Sequence, residues 1–249
     1  MVQIAGLAVC VRQAGAGHTV LVLHHSTGPL WTDFYTELAG SFSVVAPDLP
    51  GYALSERPEW ARHPRDEAIL ISQLIDELEL DDINLIGLGF GGWIAAELAT
   101  MRGRQLASLT LVGAAGLKPR EGEIFDFMNS GFDDYVRYGF SRPERFDDVF
   151  GPQPEELHLK LWDFSREMTA RLNWKPWMYS WELPALLTGI QVPTVIAWGS
   201  DDRVIPLDCG KRYAELIPGA RLEVVPDCGH LVDLEQQEAL VRLVSSVAS

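Results

Sequence analysis

Asn84-Leu85-Ile86-Gly87-Leu88-Gly89-Phe90-Gly91-Gly92-Trp93 is the stretch on which the reading of the chain turns. An apolar, strand-like run enters a knot of glycines, and a helix-patterned run over 94–101 leaves it. One reading takes Gly87, Gly89 and Gly92 as Gly-x-Gly-x-x-Gly, the phosphate-cradling turn of a dinucleotide-binding unit. The other takes the stretch as a sharp strand-to-helix turn with Gly89 at its apex. Strand and helix then approach so closely that side chains two before and two after the apex would clash, and Gly87 and Gly91 fill those slots. The apex is held at positive φ, which costs a residue with a Cβ on the order of 1–3 kcal/mol. Glycine adopts it without that steric cost.

Working outward, 2–4 and 7–12 read as short lead-in strands, and 19–24 as a strand buried on both faces. A helix over 31–38 and a strand over 42–46 follow. Residues 65–80 carry Ile69, Leu70, Leu74, Ile75 and Leu78 at helical spacing. Strand, helix and strand follow over 83–87, 91–101 and 106–112. Such alternation implies a mostly parallel sheet covered by helices on both faces. It stops at Gly113. Residues 117–188 show no buried strand, only short helix-like pieces broken by Pro and Gly and rich in aromatics, including Phe125, Phe127, Trp162, Trp174 and Trp177. Alternation resumes with a strand over 194–198, a helix over 207–216, a strand over 221–225 and one closing helix over 231–247. The expected organisation is a core of 1–116 and 189–249 with a helical cap or lid of 117–188.

The dinucleotide reading requires an acid after the strand that follows the first helix, to bind ribose hydroxyls. Here that strand runs into Val112-Gly113-Ala114-Ala115, and at least three strands precede the glycine knot, whereas the fingerprint opens its domain. The sharp-turn reading is the one that survives. Composition narrows the partners further. The 249 residues carry 35 acidic and 20 basic side chains, a net charge of −15, which repels nucleic acid and anionic membrane surfaces. Cys10, Cys209 and Cys228 lie far apart with no CxxC pair, so neither a disulfide framework nor a zinc site is expected. No secretory leader and no apolar run of about 18 residues is evident, so a cytoplasmic protein acting on a small molecule is expected.

Four loops, in order, resemble the α/β-hydrolase superfamily over nearly the whole chain. His24-His25-Ser26-Thr27-Gly28 is similar to its oxyanion loop, and Asp48-Leu-Pro-Gly-Tyr-Ala-Leu-Ser55 to its Asp-x-x-Gly-x-Gly-x-Ser loop, with Ala53 for the second glycine. Trp198-Gly-Ser-Asp-Asp-Arg-Val-Ile-Pro206 resembles the acid loop, and Asp227-Cys-Gly-His230 the loop of the base. The glycine knot then resembles the family's Gly-x-Ser-x-Gly nucleophile elbow with Gly89 at the serine position. The resemblance implies Asp202 as the acid, His230 as the base, and the backbone amides of Phe90 and Ser26 as an oxyanion hole. Ser26, Cys228 or a water activated by His230 could stand in for the nucleophile, and water asks least of the chain. His25, Trp93 and Trp177 are candidates to line the pocket, although His25 reads equally as a bonded loop residue. No cofactor is expected, and no metal, because the histidine spacing is not specific. The implied function is cleavage of a small, apolar ester, lactone or diketone-like carbonyl compound without a serine. A non-catalytic ligand-binding protein and a nucleophile-deleted variant of an ordinary esterase are the alternatives.

Overall fold

The computed structural model describes residues 1–248. Strands Val2–Ile4 (β1) and Leu7–Val9 (β2) form a separate antiparallel pair. The main sheet holds Val11–Ala14 (β3), Thr19–Leu23 (β4), Ser43–Pro47 (β5), Ile83–Leu88 (β6), Leu106–Val112 (β7), Thr194–Gly199 (β8) and Arg221–Val225 (β9). Their order is β3-β5-β4-β6-β7-β8-β9, and only β3 runs antiparallel to its neighbour. The inner strands β6 and β8 are buried at every residue, as the unbroken apolar runs require of a sheet covered on both faces.

Pro64–Glu77 (α2) and Phe90–Arg102 (α3) cover one face with Leu207–Leu216 (α8). Asp33–Ala39 (α1), Val232–Glu235 (α9) and Gln237–Ser245 (α10) cover the other. The closing helix expected over 231–247 is therefore broken, with Gln236 at φ −140° and ψ 46°. The acids of its first turn are held elsewhere. Asp233 bonds His25, and Glu235 accepts from the amides of Gly229 and Ser141. Between β7 and β8 lie Phe132–Tyr138 (α4), Pro143–Phe150 (α5), Glu156–Asn173 (α6) and Leu183–Leu187 (α7). The sequence suggested only short pieces there, yet α6 runs for 18 residues. Its inner face (Trp162, Ser165, Met168, Thr169 and Leu172) is buried at three- and four-residue spacing.

Glu67, on α2, is fully buried, and neither carboxylate oxygen has a hydrogen-bond partner among the described residues. Burial, with a smaller contribution from Asp66, pushes its pKa well above 4.5. The folded protein therefore holds this proton at pH values where the unfolded chain has lost it. Stability falls as pH rises from about 4.5 toward the raised folded-state value, by about 1.4 kcal/mol per pH unit for one proton. In urea denaturation across pH 5–8, Glu67→Gln is expected to remove that slope, and parallel curves for the two proteins would contradict this account.

Candidate active site

The carboxyl ends of the parallel strands deliver their loops to one edge of the sheet. At its centre β6 turns into α3 through Gly89, at φ 53° and ψ −110°. Gly87 and Gly91 allow this turn. A Cβ on Gly87 would lie 2.5 Å from Gly92 Cα and 2.6 Å from Ala95 Cβ, and one on Gly91 would run into the carbonyl of Leu23. The Gly91 amide in turn donates to the His24 carbonyl at 3.1 Å, which ties the head of α3 to the loop after β4.

The structure brings His230 and Asp202 together. His230 Nδ1 lies 2.9 Å from Asp202 Oδ2, and Asp202 Oδ1 accepts from the amides of Val204 and Ile205, each at 2.9 Å. Since a carboxylate can only accept, Nδ1 carries the hydrogen, and in the neutral ring Nε2 then presents a lone pair. That nitrogen lies 2.9 Å from the point where a Cβ on Gly89 would stand. The His230 amide donates to the Gly139 carbonyl at 2.7 Å, so the segment between β7 and β8 holds the loop in place.

His25 approaches the same point with its ring beside that of His230. Its Nε2 donates to Asp233 Oδ1 at 2.8 Å, so in the neutral ring Nδ1 is bare, and it has no partner among the described residues. Nδ1 lies 2.6 Å from the Gly89 Cβ point, and the two imidazoles meet edge to face at 5.4 Å. All four members of these pairs are buried. Sequence reasoning left His25 undecided and missed Asp233, 208 residues away, for which no motif gives a signal.

The other candidates are placed as follows. The Ser26 hydroxyl bonds the Tyr135 hydroxyl on α4, another residue that the sequence reading missed. Among the described residues, neither the Ser26 amide nor the Phe90 amide has a hydrogen-bond acceptor, and Phe90 follows Gly89 as the first residue of α3. The Trp93 indole donates to Glu97 at 3.2 Å and packs against His63 and Phe90, one turn into α3, where it lines a cavity with His63, Leu172, Asn173 and Tyr179. Trp177 packs at a tilt on Phe127, which packs at a tilt on Tyr135, so it belongs to a row of rings that runs from Trp174 to the Tyr135 bonded by Ser26. His24 faces away, with its Nε2 accepting from the Leu49 amide, and burial pulls its pKa down to about 3, so it is neutral. Burial likewise pushes the Cys228 thiol well up, which keeps it protonated. No group of three or more metal-ligating side chains occurs among the described residues, and no helix there is long and apolar enough to cross a membrane.

The sequence matches the α/β hydrolase family over residues 15–243, and the chain belongs to that family. It is 28% identical to a 2-hydroxy-6-oxo-2,4-heptadienoate hydrolase of Pseudomonas putida, over 98% of this chain and 94% of the relative. It is also 28% identical to a 2-hydroxymuconate semialdehyde hydrolase of a Pseudomonas species, over 96% and 90% of the two chains. The fold superposes on a meta-cleavage product hydrolase from Pseudomonas fluorescens with a TM-score of 0.80 at 23% identity, covering 99% of this chain and 96% of that one.

Because the Gly89 Cβ point lies under 3 Å from both imidazoles, glycine at 89 and histidine at 25 are sterically linked. Gly89→Ala is expected to destabilise the protein by about 1–3 kcal/mol from backbone strain alone, with the His25 contact adding to it. Removing the ring with His25→Gly should relieve the contact part. A double-mutant cycle by urea denaturation should therefore show a coupling of roughly 0.5–3 kcal/mol, and strict additivity would mean that the ring simply swings aside.

Proposed function

We propose that the protein hydrolyses a small, apolar carbonyl compound, with Gly89 standing where other family members carry a nucleophilic serine and water taking the role of that serine. One observation carries this reading. His230, held through Nδ1 by Asp202, brings Nε2 to 2.9 Å from the point where a Cβ on Gly89 would stand. His230 takes a proton from water as the water oxygen bonds to the carbonyl carbon. The developing oxyanion is held by the Phe90 and Ser26 amides, the former at the positive end of α3. Collapse breaks the bond to the leaving group, which receives the proton from His230. Asp202 orients the ring and stabilises its charged form.

The other internal nucleophile candidates fit poorly. The Ser26 hydroxyl is committed to Tyr135, and the Cys228 thiol is buried and protonated. The residues of 117–188 serve as a lid whose aromatic inner surface, from Trp177 through Phe127 to Tyr135, faces an apolar substrate. Relatives named for hydrolysis of an oxo-dienoate and of a semialdehyde favour a conjugated carbonyl compound within this class. A nucleophile-deleted esterase is disfavoured by His25, whose ring approaches the volume a serine needs. A purely ligand-binding protein has no physical use for an acid, a base and two free amides converging on one point.

The test uses 2-hydroxy-6-oxo-2,4-heptadienoate and an activated aryl ester as probes. Turnover is expected with at least one of them, and His230→Ala should lower kcat by about 10²–10⁴-fold. Intact-mass analysis of quenched reactions should show no acyl-enzyme, and Gly89→Ser alone should bring no gain on the ester. An unaffected His230→Ala enzyme, or a covalent adduct, would sink the reading.

A further inference from the structure

Resting on that reading, we infer that His25 and Asp233 form a second catalytic pair, which works on the same water as His230 and Asp202. The two pairs are arranged alike. In each, a carboxylate fixes one ring nitrogen at 2.8–2.9 Å, and the bare nitrogen of the other side points at the space beside Gly89. His25 Nδ1 is a buried polar atom with no partner among the described residues, which is costly unless a ligand satisfies it. Two bare nitrogens facing one point are complementary to a molecule with two donor hydrogens. Water is that molecule. With both hydrogens directed into the imidazoles, the oxygen lone pairs are turned away from the rings, toward a carbonyl carbon.

The rear of the second pair supports the assignment. Behind His25 lies a cavity of about 20 Å³, bounded by Thr27, Thr32, Tyr35, Leu231 and Asp233. That is room for one water molecule, and the Thr32 hydroxyl there has no partner among the described residues. Asp233 is thus placed to be hydrated on one flank while it holds His25 on the other. Asp202 instead accepts from two backbone amides.

The division of labour follows from the proton count. Hydrolysis of R–CO–X by water gives a carboxylate, H–X and one proton. The first hydrogen of the water passes to His230 Nε2 as the C–O bond forms, and His230 returns it to X as the C–X bond breaks. The second hydrogen, on the hydroxyl of the tetrahedral adduct, passes to His25 Nδ1, so that the acid leaves as its carboxylate. Asp233 stabilises the imidazolium until the proton reaches solvent. His25 is a catalytic residue in this scheme, and Asp233 is its positioning residue.

The experiment measures the same two probes, 2-hydroxy-6-oxo-2,4-heptadienoate and an aryl ester, with wild type, His25→Gln, His25→Gly, Asp233→Asn and His230→Ala. His25→Gln keeps an amide donor for Asp233 and so guards against loss of fold. It is expected to lower kcat by about 10²-fold or more with KM little changed. Added imidazole should restore part of the rate to His25→Gly, which a purely structural role would not allow. Rates in H₂O/D₂O mixtures should fit two transferred protons for wild type and one for His25→Gln. In ¹⁵N-histidine spectra, wild-type His25 should carry its hydrogen on Nε2, and Asp233→Asn should disturb that tautomer. If His230→Ala is inactive while His25→Gln keeps wild-type kcat and a two-proton fit, this inference fails and the proposed function stands. If wild type turns over neither probe, or His230→Ala is fully active, both fail.

Discussion

Everything at the catalytic edge depends on how little space surrounds Gly89. The sheet can pass from β6 into α3 there only because Gly87 and Gly91 let helix and strand touch, and because the apex residue takes a left-handed conformation. That tight turn places the first free amide of α3 beside the loop after β4 and ties the two by the bond from Gly91 to His24. The position of His25 is set by this contact, and the position of His230 by the bond to Gly139. The two imidazoles then approach one point from loops separated by most of the chain. A side chain at 89 would have to displace one of them, so the identity of residue 89 and the presence of the second histidine form a single constraint.

The same constraint explains which parts of the architecture were readable from sequence. β7, α8 and β9 coincide with the runs expected for them, because alternating buried strands and amphipathic helices leave a strong apolar period. His230 and Asp202 were legible because each sits in a short local motif after a strand. His25 and Asp233 carry no such mark. Their pairing exists only once α9 folds back over the loop after β4, and it breaks the closing helix that periodicity alone would continue through Gln236. Likewise, the bond from the Trp93 indole to Glu97, one helical turn on, carries no sequence motif.

The helices between β7 and β8 are bound to the core in two different ways. Near His230 the join is polar and backbone-mediated. Gly139 accepts from the His230 amide, the Phe140 carbonyl accepts from Arg203, and Glu235 accepts from Ser141. Opening there would disturb the base itself. On the far side, α6 lies over Gly28 through Leu161 and Ser165, and the Ser165 hydroxyl has no partner among the described residues. An apolar groove of about 680 Å³ lined by Pro29, Leu157, Leu161 and Phe164 runs along that side of α6. Apolar contact is not all that holds α6, because the Thr169 and Tyr52 hydroxyls bond at 2.7 Å in the interior and Arg171 donates to the Glu59 carbonyl at 2.8 Å. A buried hydroxyl pair is costly to separate without new partners, as is a buried amide. The segment is therefore fixed at both flanks by polar bonds, through backbone beside the base and through side chains along α6.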